Sequence, residues 1–232
     1  MIIPATHSEI EQIYLAAEMR GCRSLCVTAC QSGDGVTSIV TALAERYLFA
    51  GLKTLVVDLN TYHPAFEGVD FSQTLSEQQI GSLISHSDTH QLFTGLTIPT
   101  TQAALLEYKD PSCLTRTVDK WLNHFDRVVF DTSPLLHVNR GNIPAQVVAS
   151  ACDQTALVVL GGKTSSSQLR RAMSLLDSDS VELLGTVLNM RDQPTLGQEI
   201  VREIDRCKFL PGKWRAYLAQ KILSNEFLAQ SA

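Results

Sequence analysis

The stretch VTACQSGDGVTS, residues 27–38, decides how the chain is read. A run of small and apolar residues ends in a loop carrying Gly33 and Gly35, and the segment TSIVTALAERYLFAGLK that follows has helical spacing closed by Gly51. A strand that turns on glycines into a helix amino terminus forms an anion site, because backbone N–H donors and the helix dipole both favour negative charge. The loop Gln31, Ser32, Gly33, Asp34, Gly35, Val36, Thr37 and Ser38 is therefore the candidate phosphate cradle. Its anomaly is Val36, which stands where such loops carry lysine.

Outward from the loop, apolar runs alternate with helical patterns. RSLCVTA (23–29), TLVVDL (54–59), DRVVFDTSP (126–134), TALVVL (155–160) and VELLGTVLN (181–189) read as buried strands, and helices are expected over 8–20, 112–124, 143–152 and 165–178. Ser8 and Glu11 are spaced for a capping box on the first helix. This alternation predicts an α/β fold, a doubly wound and mostly parallel sheet. Between residues 60 and 110 the pattern is least regular, with helix expected within 71–86 and a short strand in GLTIPT (95–100). We divide the chain into an α/β domain over 1–196 and a basic amphipathic helical extension over 197–232, interrupted at LPGK (210–213).

In open α/β sheets ligands bind beyond the carboxyl ends of the strands, and two of these strands end in Asp58 and Asp131. Thr37 is placed to ligate magnesium, Asp131 to hold the metal or its water, and Asp58 to polarise an attacking water. A net charge of −5 argues against broad nucleic-acid binding, and no specific nucleic acid is expected as a partner. The start MIIPATHSEIEQ lacks a signal pattern and no apolar run approaches a bilayer span, so a cytoplasmic protein is expected. Of Cys22, Cys26 and Cys30, neighbours four residues apart would lie about 13 Å from each other on a strand, too far to share a metal, and all three read as small buried side chains. The histidines show no ligand spacing, and Ser133 in DTSP is not a hydrolase elbow.

These segments together resemble the MinD/ParA class of P-loop ATPases with a deviant Walker A motif, and within it the cytoplasmic domain of bacterial tyrosine kinases. SGDGVT aligns with the family's PGEGKS, DLNTYHP (58–64) with its DADLRRP, and FDRVVFDTSPLL with its YDxVIIDTPPVL. VVLGGKTSSSQLRRAMSLL and LLGTVLN are similar to its VVRxGKT segment and its LGVVLN strand. The resemblance implies ATP or ADP with magnesium as cofactor, Thr37 as metal ligand, Asp58 and Asp131 as the Walker A-prime and Walker B aspartates, and Asn189 as reader of adenine. It further implies a role in capsule or exopolysaccharide synthesis beside an inner-membrane copolymerase or chain-length protein.

The departures fall on charge. Val36 replaces the Walker lysine, Gln31 the second signature lysine, Asn60 the second A-prime acid, and Tyr62–His63 a basic pair, while Arg140 stands where many relatives have aspartate. The tail retains Tyr217 in place of a tyrosine cluster, and the first helix lacks the arginines of the family's ring contact, which leaves a homo-oligomer open without that ring. Three readings stand at this point: a dead site kept for interaction, a weak ATP-binding switch, and an active autokinase. A fourth, from a different class, is a positioning ATPase of the MinD type recruited to the membrane through the basic C-terminal segment.

Overall fold

The computed structural model describes residues 3–69, 81–99, 101–137, 139–191, 196–206 and 211–225. Its centre is a strand buried at every position, β1 (Ser24–Ala29), because it pairs in parallel on both sides, with β6 (Arg127–Thr132) and β7 (Gln154–Leu160). β2 (Thr54–Leu59) lies beyond β6 and is also parallel to it. The remaining strands are β3 (Phe66–Gly68), β4 (Ser82–His86), β5 (Leu92–Leu96) and β8 (Leu183–Asn189), giving the order β3-β4-β5-β2-β6-β1-β7-β8. The expected doubly wound, mostly parallel sheet is present, with an antiparallel extension at one edge.

Period-two alternation along β1 divides its side chains between two cores. Leu25, Val27 and Ala29 join α1 (Ser8–Met19) and α2 (Val36–Phe49) on one face. Cys26 and Cys30 join the other, with α4 (Pro111–Leu122), α5 (Ala145–Ser150) and α6 (Ser166–Leu176). The expectation for the cysteines holds: Cys22, Cys26 and Cys30 are buried, and burial pushes their thiols up to about 12, 12 and 11. They are inert thiols in an apolar core.

Three local expectations need correction. The capping box on α1 does not form: His7 is the N-cap, its side chain makes no capping bond, and Ser8 donates to Glu9. Glu11 instead accepts a bidentate pair from Arg46 at 2.5 and 2.9 Å, a charge-assisted geometry stronger than a bond to a backbone amide. The helix expected within 71–86 is a strand over its last five residues, β4; residues 70–80 lie outside the described residues. Here burial alternates with period two, placing Ile84 and His86 inward, and Ile84 sits over Gly95 of β5, where a Cβ would collide with Ile84 Cδ1 and Val56 O. The strand expected at 95–100 is met only at residues 95–96, by β5, which runs from Leu92 to Leu96 and pairs with β4. Sequence reading also passed over α3 (Gln102–Lys109), capped by Thr101, which accepts from the Ala104 amide at 3.3 Å.

The chain forms two compact units, Met1–Val159 with Thr164–Leu188, and Leu160–Lys163 with Asn189–Ala232. In the second, α7 (Leu196–Arg206) packs on α8 (Gly212–Leu223), and Arg215 donates to the Asp205 carbonyl at 3.1 Å. The interruption expected at LPGK coincides with Pro211, the N-cap of α8; residues 207–210 and the end of the tail, 226–232, lie outside the described residues. Among the described residues no helix is long and apolar enough to cross a membrane.

Candidate nucleotide site

The loop between β1 and α2 turns on Gly33 (φ +85°) and Gly35 (φ +107°), left-handed conformations that any side chain would strain. Asp34 is buried and folds back, its Oδ2 accepting from the Gln31 amide at 2.9 Å. Gln31 and Ser32 are half-buried. Gly35 is the N-cap of α2, no side chain caps the helix, and its first turn holds no acid. A helix amino terminus without a side-chain cap suits phosphate oxygens.

The side chain of Val36 is buried in the core. It is 9% exposed and packs in the α1–α2 core with Ile39 and Val40, so the position that the resemblance gives to lysine is an apolar anchor of the helix.

The carboxyl ends of β2 and β6 bring the two aspartates into register, Asp58 opposite Asp131, both fully buried. Thr37 donates to Asp131 Oδ2 at 2.5 Å, and the Asn60 amide lies 3.5 Å from Asp131 Oδ1. Asp58 Oδ1 accepts from the Asn60 backbone N–H at 2.9 Å, and its Oδ2 accepts from Ala65 and Phe66 at 3.0 and 3.3 Å. Burial raises both carboxyls above the ordinary range; for Asp131 the neighbouring Asp58 charge adds to the rise, against the bonds from Thr37 and Asn60. Two carboxylates and a threonine hydroxyl at a strand–helix junction are hard oxygen donors, and this set fits magnesium. The uncapped α2 start beside them fits a phosphate chain, so the residues present accord with a magnesium nucleotide.

Other sequence candidates have partners of their own. Asn189 closes β8 and belongs to the second unit, where its Oδ1 accepts from the Arg191 amide at 3.1 Å. Arg140 is exposed on the loop after β6, its carbonyl bonded to Lys109 Nζ at 2.7 Å. Ser133 is buried, its hydroxyl 3.4 Å from the Leu59 carbonyl, with the role of a strand-end brace. Glu11 and Glu18 of α1 are committed within the subunit, to Arg46 and to Arg127.

Sequence reading missed two components. Asn60, noted as a lost charge, is a hydrogen-bond link between the two aspartates. A cavity of about 600 Å³ opens beside the start of α2, lined by Thr37, Ser38, His63, His86, Asp88 and Thr89 among others. The turn joining β4 to β5 supplies its far wall, and that pairing has no signal in the spacing of the histidines.

The chain is 30% identical over 180 residues to the tyrosine-protein kinase CpsD of Streptococcus pneumoniae serotype 4 (strain ATCC BAA-334 / TIGR4), covering 72% of this chain and 76% of that one. In fold it is similar to the kinase domain of the Escherichia coli tyrosine kinase ETK, with a TM-score of 0.58 at 18% identity over 84% of this chain and 83% of that one. It is also similar to cobyrinic acid a,c-diamide synthase of Mycobacterium smegmatis, a structure with bound ATP analogue and magnesium, with a TM-score of 0.50 at 18% identity over 82% of each chain. No family model matches the chain. On the sequence identity, and with a P-loop NTPase fold carrying its aspartates at the expected strand ends, the chain belongs to the CpsD-type bacterial tyrosine-protein kinase family.

Proposed function

We propose that this chain is a degenerate member of the family, one that binds ATP or ADP with magnesium without fast phosphoryl transfer. It would regulate capsule or exopolysaccharide polymerisation and export beside an inner-membrane copolymerase. The observation that carries the reading is the contrast at one loop: Val36 is committed to the core while Thr37, Asp58 and Asp131 are joined by hydrogen bonds and strand register. In this reading the loop amides and the α2 start hold the phosphates and Thr37 and Asp131 hold magnesium. Asp58, fixed by three backbone N–H groups, orients rather than releases a proton. Bound magnesium would offset the charge of the buried aspartates and of the phosphate oxygens. Removing one well-placed transition-state donor costs about 100-fold to 1000-fold in rate, and this loop lacks its lysine.

The test pairs equilibrium binding of ATP with a phosphate-transfer assay on the same preparation. Saturable magnesium-dependent binding with turnover far below the roughly 1–100 s⁻¹ of kinases is the expected outcome. Turnover within that range would sink the degenerate reading, and absence of binding would leave only an interaction role.

A second reading, a MinD-type positioning ATPase at the membrane, draws on the extension over 197–232. Trp214 and Tyr217 are exposed on α8, a helix with Lys213, Arg215 and Lys221 and no acid. Aromatic side chains beside cations suit an anionic lipid surface. Cosedimentation with anionic vesicles that is lost in Trp214→Ala favours this reading; equal sedimentation with neutral vesicles counts against it.

A further inference from the structure

Among the described residues that line it, the cavity beside the start of α2 has no lysine or arginine, although it borders Thr37 and Ser38 at the proposed phosphate site. Val36 cannot supply the missing cation from the core. Two imidazoles line the same space. His86 is committed: it is 9% exposed, its Nδ1 accepts from the Thr89 amide at 3.2 Å and lies 2.9 Å from Thr89 Oγ1, and burial lowers its pKa. His63 is exposed, and its backbone is tied to the site because its N–H donates to Asn60 Oδ1 at 3.1 Å. Its ring stands edge-on to Tyr62 at 5.0 Å, and Tyr62 in turn leans on His137 at 5.5 Å.

We propose that His63 is the group that meets the terminal phosphate of a bound nucleoside triphosphate or polyphosphate, in the place that lysine would otherwise serve. The inference rests on the reading of the loop as a nucleotide site and names the residue that completes it. Imidazole can donate N–H to a phosphate oxygen, and as imidazolium it adds the charge the loop lacks. Among the described residues, the charged and titratable groups around this space are Asp88 and His86 from the β4–β5 turn, Tyr62 with His137 behind it, and the buried Asp58 and Asp131 at the strand ends. Asp88 is the carboxylate on the cavity wall, and its influence falls on His86. An anion entering beside Thr37 and Ser38 therefore has the exposed imidazole of His63 as its neighbour on that wall.

The experiment is calorimetric binding of magnesium ATP, and separately of inorganic tripolyphosphate, to the native chain, His63→Gln and His63→Lys at about pH 6 and about pH 8. Expected for the native chain is binding about tenfold tighter at the lower pH, the scale of one charge-assisted hydrogen bond. His63→Gln should lose that gain, and His63→Lys should bind tightly at both values. Protonation of the phosphate itself works against the gain, so the difference between native and His63→Gln is the reading that counts. Native affinity and an unchanged pH gain in His63→Gln would overturn the role of His63 while leaving the loop a nucleotide site. No binding of either probe by the native chain or His63→Lys would overturn the nucleotide reading itself, and this inference with it.

Discussion

The parallel centre of the sheet and its antiparallel edge solve different problems with the same chain. β1, β2 and β6 are buried on both faces, and each ends at the site: in the glycine loop, at Asp58 and at Asp131. β3, β4 and β5 are short and only partly buried, yet the turn between the last two walls the cavity beside Thr37. The centre thus fixes where an anion and a metal can sit, and the edge shapes what reaches them. The two meet where Gly95 pairs with Val56 on one side and Ser82 on the other.

That junction is the place to break the comparison. Gly95→Ala puts a methyl against Ile84 and a backbone carbonyl of β2, which cannot yield as a flexible side chain would. Overpacking of this kind costs about 2–3 kcal/mol, and urea unfolding should show that loss. A loss near zero would mean that the edge yields to the added methyl and that the centre does not depend on it.

Charge at the centre gives the next effect, with the opposite sign. Asp131 and Asp58 have folded-state pKa values raised above the ordinary 3.8, so the folded chain binds protons more tightly than the unfolded one. Their contribution is therefore least unfavourable at low pH and becomes destabilising as pH rises from about the unfolded value through the folded one. Asp131→Asn removes that burden and keeps an acceptor for Thr37. It should raise stability near neutral pH by more than about 1.4 kcal/mol, the worth of one pKa unit. The advantage should shrink toward acid pH in parallel denaturation curves. A variant less stable than the native chain at neutral pH would show the carboxylate to be already compensated in the folded protein.

The centre was legible in the sequence because its signals are local. TLVVDL and RVVFDT are continuous apolar runs that end in an acid, and SGDGVT joins a strand to a helix in one stretch. Proximity across the sheet also followed from topology, since parallel strands bring their carboxyl ends to one side. The edge was not legible, because SLISH alternates over five residues and its burial depends on Gly95 and Val56, remote in sequence. Glu11 misled for a related reason: its spacing from Ser8 fits a capping box, but Arg46 on the next helix competes for the same carboxylate and prevails. Asn60 looked like a subtraction of charge, and its hydrogen bonds appear only once β2 and β6 are side by side.

The central claim, that a nucleotide site survives without its lysine, is tested most directly by thermal unfolding with and without about 1 mM magnesium ATP, for the native chain and Asp131→Asn together. For a dissociation constant of about 0.1 mM the stabilisation is about 1.4 kcal/mol, which for a chain of this size raises Tm by about 3–6 °C. The expected result is that shift in the native chain, and in Asp131→Asn a higher starting Tm with the shift lost. No shift in the native chain, or an equal shift in both, would contradict the assignment of Thr37 and Asp131 to a magnesium nucleotide.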